Sequence, residues 1–192
     1  MFKFDKNNIT KIDLLILTSI FFIFLFYFYG FLINENSAGG GMSDSTFIWS
    51  NQKIFFENNL KDAIGHKDYH DSRSPIVYIL HKYLNFYPDD IGYYKRIVFK
   101  ISFLGPVIFF FILKEKYKVD KIKLAFISSI LLLSPYYRTS SYWGLEENYG
   151  LIFLLLTYLT IEKSKKNFYY LKNNLKIFIK IFLICFLSSL TF

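Results

Sequence analysis

Four groups of residues in this chain have the types and spacing for chemistry. Asp44 precedes Phe47, Ile48, Trp49, Ile54, Phe55, Phe56 and Leu60, apolar residues at near-helical spacing. An acid there reads as a helix N-cap that satisfies free backbone N–H groups, and a capping carboxylate is also a positioned one. Tyr69-His70-Asp71-Ser72-Arg73 puts a base, an acid and a guanidinium side by side, although a solvated loop explains the cluster equally well. Arg138 carries a planar fork that matches phosphate oxygens. Glu146 and Glu147 are adjacent carboxylates eight and nine residues further on, and an exposed turn with an Arg–Glu pair is the ordinary alternative.

Other chemistries are poorly served. His66, His70 and His81 lack the fixed spacing of a metal site, and only His70 adjoins a carboxylate. Gly39-Gly40-Gly41 is open backbone, but no Lys-Ser/Thr follows it, so a nucleotide loop is not read here. The single cysteine, Cys185, sits in an apolar run, which rules out an intramolecular disulfide. No cofactor is expected.

The elements that must position these groups are apolar runs. Hydrophobic residues make up 53% of the chain and aromatics 22%, gathered into long stretches between charged segments. That is the membrane pattern rather than the pattern of a soluble core. Leu14–Ile33 is uncharged and spans ~30 Å at ~1.5 Å per residue. It exceeds a signal-peptide core of ~7–15 residues. Further spans are expected near 97–113, 119–135, 145–161 and 175–192, with a hydrophilic outer loop over 34–96. The third and fourth reach full length only by extending into Ser134–Asn148; a re-entrant hairpin is the alternative. The expected fold is therefore all-α: one polytopic transmembrane helix bundle over 1–192, read as the N-terminal part of a longer protein.

The net charge of +8 sorts by loop, which argues for topology and against nucleic acid as a partner. Lys3, Lys6, Lys11, the cluster Lys114 to Lys123 and the cluster Lys163 to Lys176 fall on one side. Most acids fall on the other. Basic residues mark the cytoplasmic face, so the N-terminus is expected there in a multi-pass cell-membrane protein.

Two helices of the outer loop read as amphipathic and interfacial. The first follows Asp44, with Trp49 at headgroup level. The second starts with Ser74 as N-cap and Pro75 as first helical residue. It aligns Ile76, Ile79, Leu80, Tyr83 and Leu84 on one face.

In layout the chain resembles the N-terminal half of GT-C fold glycosyltransferases, related to protein O-mannosyltransferases and lipid A aminoarabinose transferases. Asp44 before Phe47-Ile48-Trp49 resembles the first-loop acid of their catalytic centre. Arg73-Ser74-Pro75-Ile76-Val77-Tyr78-Ile79-Leu80 resembles their His-Pro-Pro-Leu-Tyr entry to the second loop helix. Ser134 to Leu156, around Glu147-Asn148-Tyr149-Gly150-Leu151, resembles a later outer segment of bacterial members. Asp44 is followed by Ser45 where the family often has a second acid, and Arg-Ser-Pro stands for His-Pro-Pro. The resemblance implies sugar transfer from a polyprenyl-phosphate carrier at the outer face, with membrane lipids and that carrier as partners. It implies Asp44 as general base and Arg138 or Arg73 at the phosphate. It places Glu146 and Glu147 on the sugar hydroxyls, with His70 and Asp71 nearby. A transporter or flippase fragment, in which Lys100 and Arg138 pair with the acids, and a non-catalytic scaffold are the other readings.

Overall fold

A computed structural model describes residues 10–71, 75–84, 90–165, 179, 182 and 183. Arg73, Ser74 and nearly all of the expected fifth run lie outside the described residues. The described chain is helical throughout, without a strand.

Helix α1 (Lys11–Leu32) opens on a capping box: Thr10 Oγ1 accepts from the Asp13 amide, and the Asp13 carboxylate accepts from the Thr10 amide. Helix α2 (Gly41–Glu57) follows Gly39 and Gly40, both left-handed, which turn the chain back sharply. Two short helices, α3 (Leu60–Ile64) and α4 (Ile76–Tyr83), complete the polar loop. Helices α5 (Ile91–Ser102) and α6 (Leu104–Lys116) run on with only a turn at Phe103 between them. Helix α7 (Lys121–Ser129) tightens into a 3₁₀ turn at Ile130–Leu133. Helix α8 (Pro135–Trp143) then starts afresh, capped by Ser134 with Pro135 in its first turn and closed by left-handed Gly144. Helix α9 (Glu147–Lys165) ends the described part.

Two stretches are long and apolar enough to cross a membrane: Lys11–Leu32 and the 26 residues Ile91–Lys116. Only 17% of the α1 window is buried, so Leu15, Phe21 and Phe26 are exposed. The third expected span does not extend as anticipated. It stops at Leu133, because Ser134 and Pro135 break the ladder and cap a new helix. The nine residues of α7 and four of the 3₁₀ turn cover only about 20 Å.

The packing has two ends. At one, α2, α4, α5, α8 and the start of α9 bury Ile48, Phe55, Val77, Tyr78, Tyr94 and Tyr149 together. Beside this, Tyr27, Phe99, Tyr137 and Tyr142 form an aromatic core, with Phe31 stacked on Phe99 at 4.1 Å. Further along, Ile108 and Ile112 of α6 meet Ile152 of α9. The basic ends collect away from the polar loop. Lys123 lies within electrostatic reach of Asp13, and Lys116 donates to Tyr158.

Both loop helices bury polar as well as apolar residues and leave part of their apolar spacing exposed. Helix α2 buries Ser45, Ile48, Asn51, Gln52 and Phe55, while Phe47 is exposed. Helix α4 buries Val77, Tyr78 and His81 and leaves Tyr83 and Leu84 outside. Pro75 is the cap of α4 rather than its first residue, and Asp44 lies in the first turn of α2, whose cap is Gly40.

Gly41 is the tightest joint between loop and bundle. A Cβ there would lie 2.6 Å from Trp143 Cδ1, at the rigid root of the indole. Gly41→Ala is expected to cost about 1–3 kcal/mol by overpacking. A lowered melting temperature in detergent would register this, and an unchanged one would show the joint to be loose.

Candidate functional site

The two Lys-poor segments meet at one end of the molecule. The Arg138 guanidinium forms an ion pair with Glu35, just past the end of α1, and its Nε donates to the Tyr142 hydroxyl. Tyr142 in turn donates to the Tyr27 carbonyl, and Trp143 Nε1 donates to the Glu35 carbonyl at 2.9 Å. The Ala38 amide donates to Thr139 Oγ1. Gly30 makes room for this knot: a Cβ there would sit 2.6 Å from Glu35 Oε2 and 2.7 Å from both Arg138 Nη2 and the Tyr142 hydroxyl. Arg138 thus pairs with Glu35 rather than with Glu146 or Glu147, and sequence reasoning passed over Glu35. Its one signal was position, as the first acid after α1.

The adjacent glutamates part company because helix α9 starts between them. Glu146 is only 3% exposed. It acts electrostatically on Tyr69, Tyr78, Tyr94 and Tyr149, so it sits inside a ring of phenols. Tyr78 donates to Asp71 at 2.5 Å, which links the loop acid to the same interior. Burial first, then Glu146, raises the Tyr78 phenol well above its ordinary value. Burial, Asp71 and Glu146 push Tyr69 up to about 12. His81 Nε2 is hydrogen-bonded to the Tyr149 hydroxyl. Gln52 Nε2 donates to the Tyr78 carbonyl at 3.3 Å. Buried oxygen and nitrogen atoms of Ser45, Asn51, Gln52, Tyr69 and Tyr94 have no hydrogen-bond partner among the described residues. This polar interior was not foreseen, because its members are scattered over four helices and the segments between them.

Glu147 faces the other way. It is exposed in a cleft of about 210 Å³ between the 3₁₀ turn, α8 and α9, with Ser140 Oγ 3.5 Å from its Oε2. Asp44 is also exposed, its carboxylate above Gly40. A wide open hollow beside it is lined by Asn36, Met42, Ser43, Thr46, Phe47 and Ser50. Asp44 makes no ion pair with Arg138 among the described residues. His70 is exposed in the loop between α3 and α4, apart from the knot. A cation that the motifs passed over, Lys95, lies 3.7 Å from the centre of the Trp143 ring and donates to Asn34. Among the described residues no group of three His, Cys, Asp or Glu side chains is arranged to hold a metal ion.

No protein-family model, no curated protein and no solved structure matches this chain.

His81 makes the site acid-sensitive. Burial lowers its pKa from 6.5 to about 4, so the fold holds the neutral ring while the unfolded chain takes a proton first. The neutral-ring contribution is complete above about pH 6.5 and is lost as pH falls toward 4, by about 3 kcal/mol at most. Melting temperature in detergent should therefore fall between pH 6.5 and 4. His81→Gln should flatten that slope, and an unaltered slope would assign it to other groups.

Proposed function

We propose that this chain is a multi-pass membrane protein with its N-terminus in the cytoplasm, and that it belongs to a glycosyltransferase using a polyprenyl-phosphate sugar at the outer face. The observation that carries the reading is the docking of 34–41 onto 134–143 through the Arg138–Glu35–Trp143 knot. It gathers Asp44, Glu146, Glu147, Arg138 and Lys95 toward one end, opposite the lysines of the α6–α7 connection. Carboxylates and cations at one end of an apolar bundle suit an anionic lipid headgroup and its sugar. The lysine-rich opposite end supports the cytoplasmic assignment.

The acceptor hydroxyl enters the hollow along α2 and gives its proton to Asp44 as its oxygen attacks the anomeric carbon. The bond from that carbon to the phosphate oxygen breaks, and the carrier phosphate keeps the electron pair. Arg138 and Lys95 meet its growing charge. Glu35 orients Arg138 for this role. Glu146 is too enclosed to touch a carrier and holds α4 and α9 together through its phenols, whereas Glu147 is open to the sugar. Helices α2 and α4 lie at the membrane surface, with Phe47, Tyr83 and Leu84 turned outward to lipid.

Two experiments test this reading. With Cys185 replaced, single cysteines at Ser43 and Tyr136, both exposed, should label from outside and one at Lys118 only from the cytoplasm. Labelling of Ser43 and Tyr136 from opposite sides would end the proposal. In proteoliposomes supplied with a panel of polyprenyl-phosphate sugars, Asp44→Asn should cut transfer by about 10²- to 10⁴-fold while leaving insertion unchanged. Full activity in that variant would remove Asp44 from the reaction.

A further inference from the structure

The structure assigns a second role to the 3₁₀ turn that ends α7. We propose that the cleft it forms with α8 and α9 is a subsite for one sugar ring bearing no negative charge, read by Glu147 and Ser140. This deepens the glycosyl-transfer reading above and rests on it for the source of the sugar.

Size sets the first limit. At about 210 Å³ the cleft is below the roughly 300–1,000 Å³ of sites for drug-sized ligands, so it takes a single ring rather than a chain. Chemistry sets the second. The one ionised group in the lining is the Glu147 carboxylate, whose two oxygens offer about four lone-pair sites, so it accepts from a ligand hydroxyl alongside its protein partners. Ser140 Oγ leans on Glu147 Oε2 at 3.5 Å, loose enough to yield to a ligand hydroxyl. Asn148 is 2% exposed and its Nδ2 is tied to Ser141 Oγ at 3.0 Å, which fixes the amide in the wall. Tyr136, 79% exposed, offers an aromatic face at the mouth, and Leu131 and Leu151 supply an apolar base. A carboxylate, hydroxyls and an aromatic ring over an apolar base suit a ligand rich in O–H donors with a C–H face. No lysine or arginine lines the cleft, so phosphate and uronate groups are repelled. A carrier phosphate must then lie outside it, which separates the sugar from the Arg138 and Lys95 charges.

Position agrees with a ligand that arrives through lipid. Helix α8 is pinned to Phe26 and Tyr27, more than one turn before the end of α1, so the α8 wall of the cleft lies alongside α1 rather than beyond its end.

The test uses amphiphiles without phosphate. The chain in nanodiscs is titrated with octyl glucoside, galactoside and mannoside below their micellar concentrations, and with octyl glucuronide, following tyrosine and tryptophan fluorescence. At least one neutral glycoside should bind tenfold or more tightly than the glucuronide. Glu147→Gln and Ser140→Val should each weaken that binding by about tenfold, while Lys118→Gln, exposed in the α6–α7 connection, leaves it unchanged. The subsite is overturned if no neutral glycoside binds, if the glucuronide binds equally well, or if both cleft variants bind like the wild type. Decaprenyl phosphate provides the independent arm. Glu147-dependent glycoside binding without any binding of decaprenyl phosphate would keep the subsite and sink the transfer reading.

Discussion

The ion pair between Arg138 and Glu35 is the constraint on which the polar end of this molecule depends. It ties a residue just past the end of α1 to the middle of α8, across more than a hundred positions of sequence. Both side chains are about one-fifth exposed, so the pair is neither fully wet nor fully dry. Removing one partner would leave the other partly desolvated, which costs more than an exposed pair contributes. Its neighbours are directional as well. Tyr142 and Trp143 each donate to a backbone carbonyl of the α1 end, and Gly30 and Gly41 provide the close approach. Two loops that would otherwise move separately become one surface.

Behind that surface lies an interior built on phenols and one carboxylate. Glu146 and Asp71 come from distant parts of the chain and meet around Tyr78. Several buried polar atoms nearby lack a hydrogen-bond partner among the described residues, the usual setting for ordered water between hydrogen-bonding groups. Such a network holds a specific arrangement of α2, α4, α5 and α9 in a way that interchangeable apolar contacts do not. The split of Glu146 from Glu147 follows directly: one residue faces this interior and the next begins the open side of α9.

Much of the helical frame was legible in the sequence. The uncharged run Leu14–Ile33 became α1, and the second run became α5 and α6, because length and hydrophobicity are local properties. The junction of the two outer segments was legible only as a charge pattern. Which residues would carry it was not, since Glu35 and Arg138 share no local signal. The apolar positions of α2 and α4 were legible, but which polar residues those helices turn toward the bundle was not. Apolar spacing identifies the buried face only where water lies on the other side. Here Gln52 and His81 turn inward to hydrogen-bond partners, while Phe47, Tyr83 and Leu84 turn out. The Ser–Pro start signal marked the start of α4, which begins at Ile76 just after Pro75, and a second such pair, not read in the sequence, caps α8 at Ser134–Pro135.

The early end of α7 reaches beyond its own helix. Its about 20 Å, set in a hydrocarbon layer of about 30 Å, would leave roughly a third of the thickness without a matching helical wall at that point. If α7 is one of the proposed spans, lipid tails beside it would bend, or the leaflet would dip toward α8, for the mismatch to close. Local thinning of this kind would make the protein sensitive to acyl-chain length, favouring thinner bilayers over thicker ones.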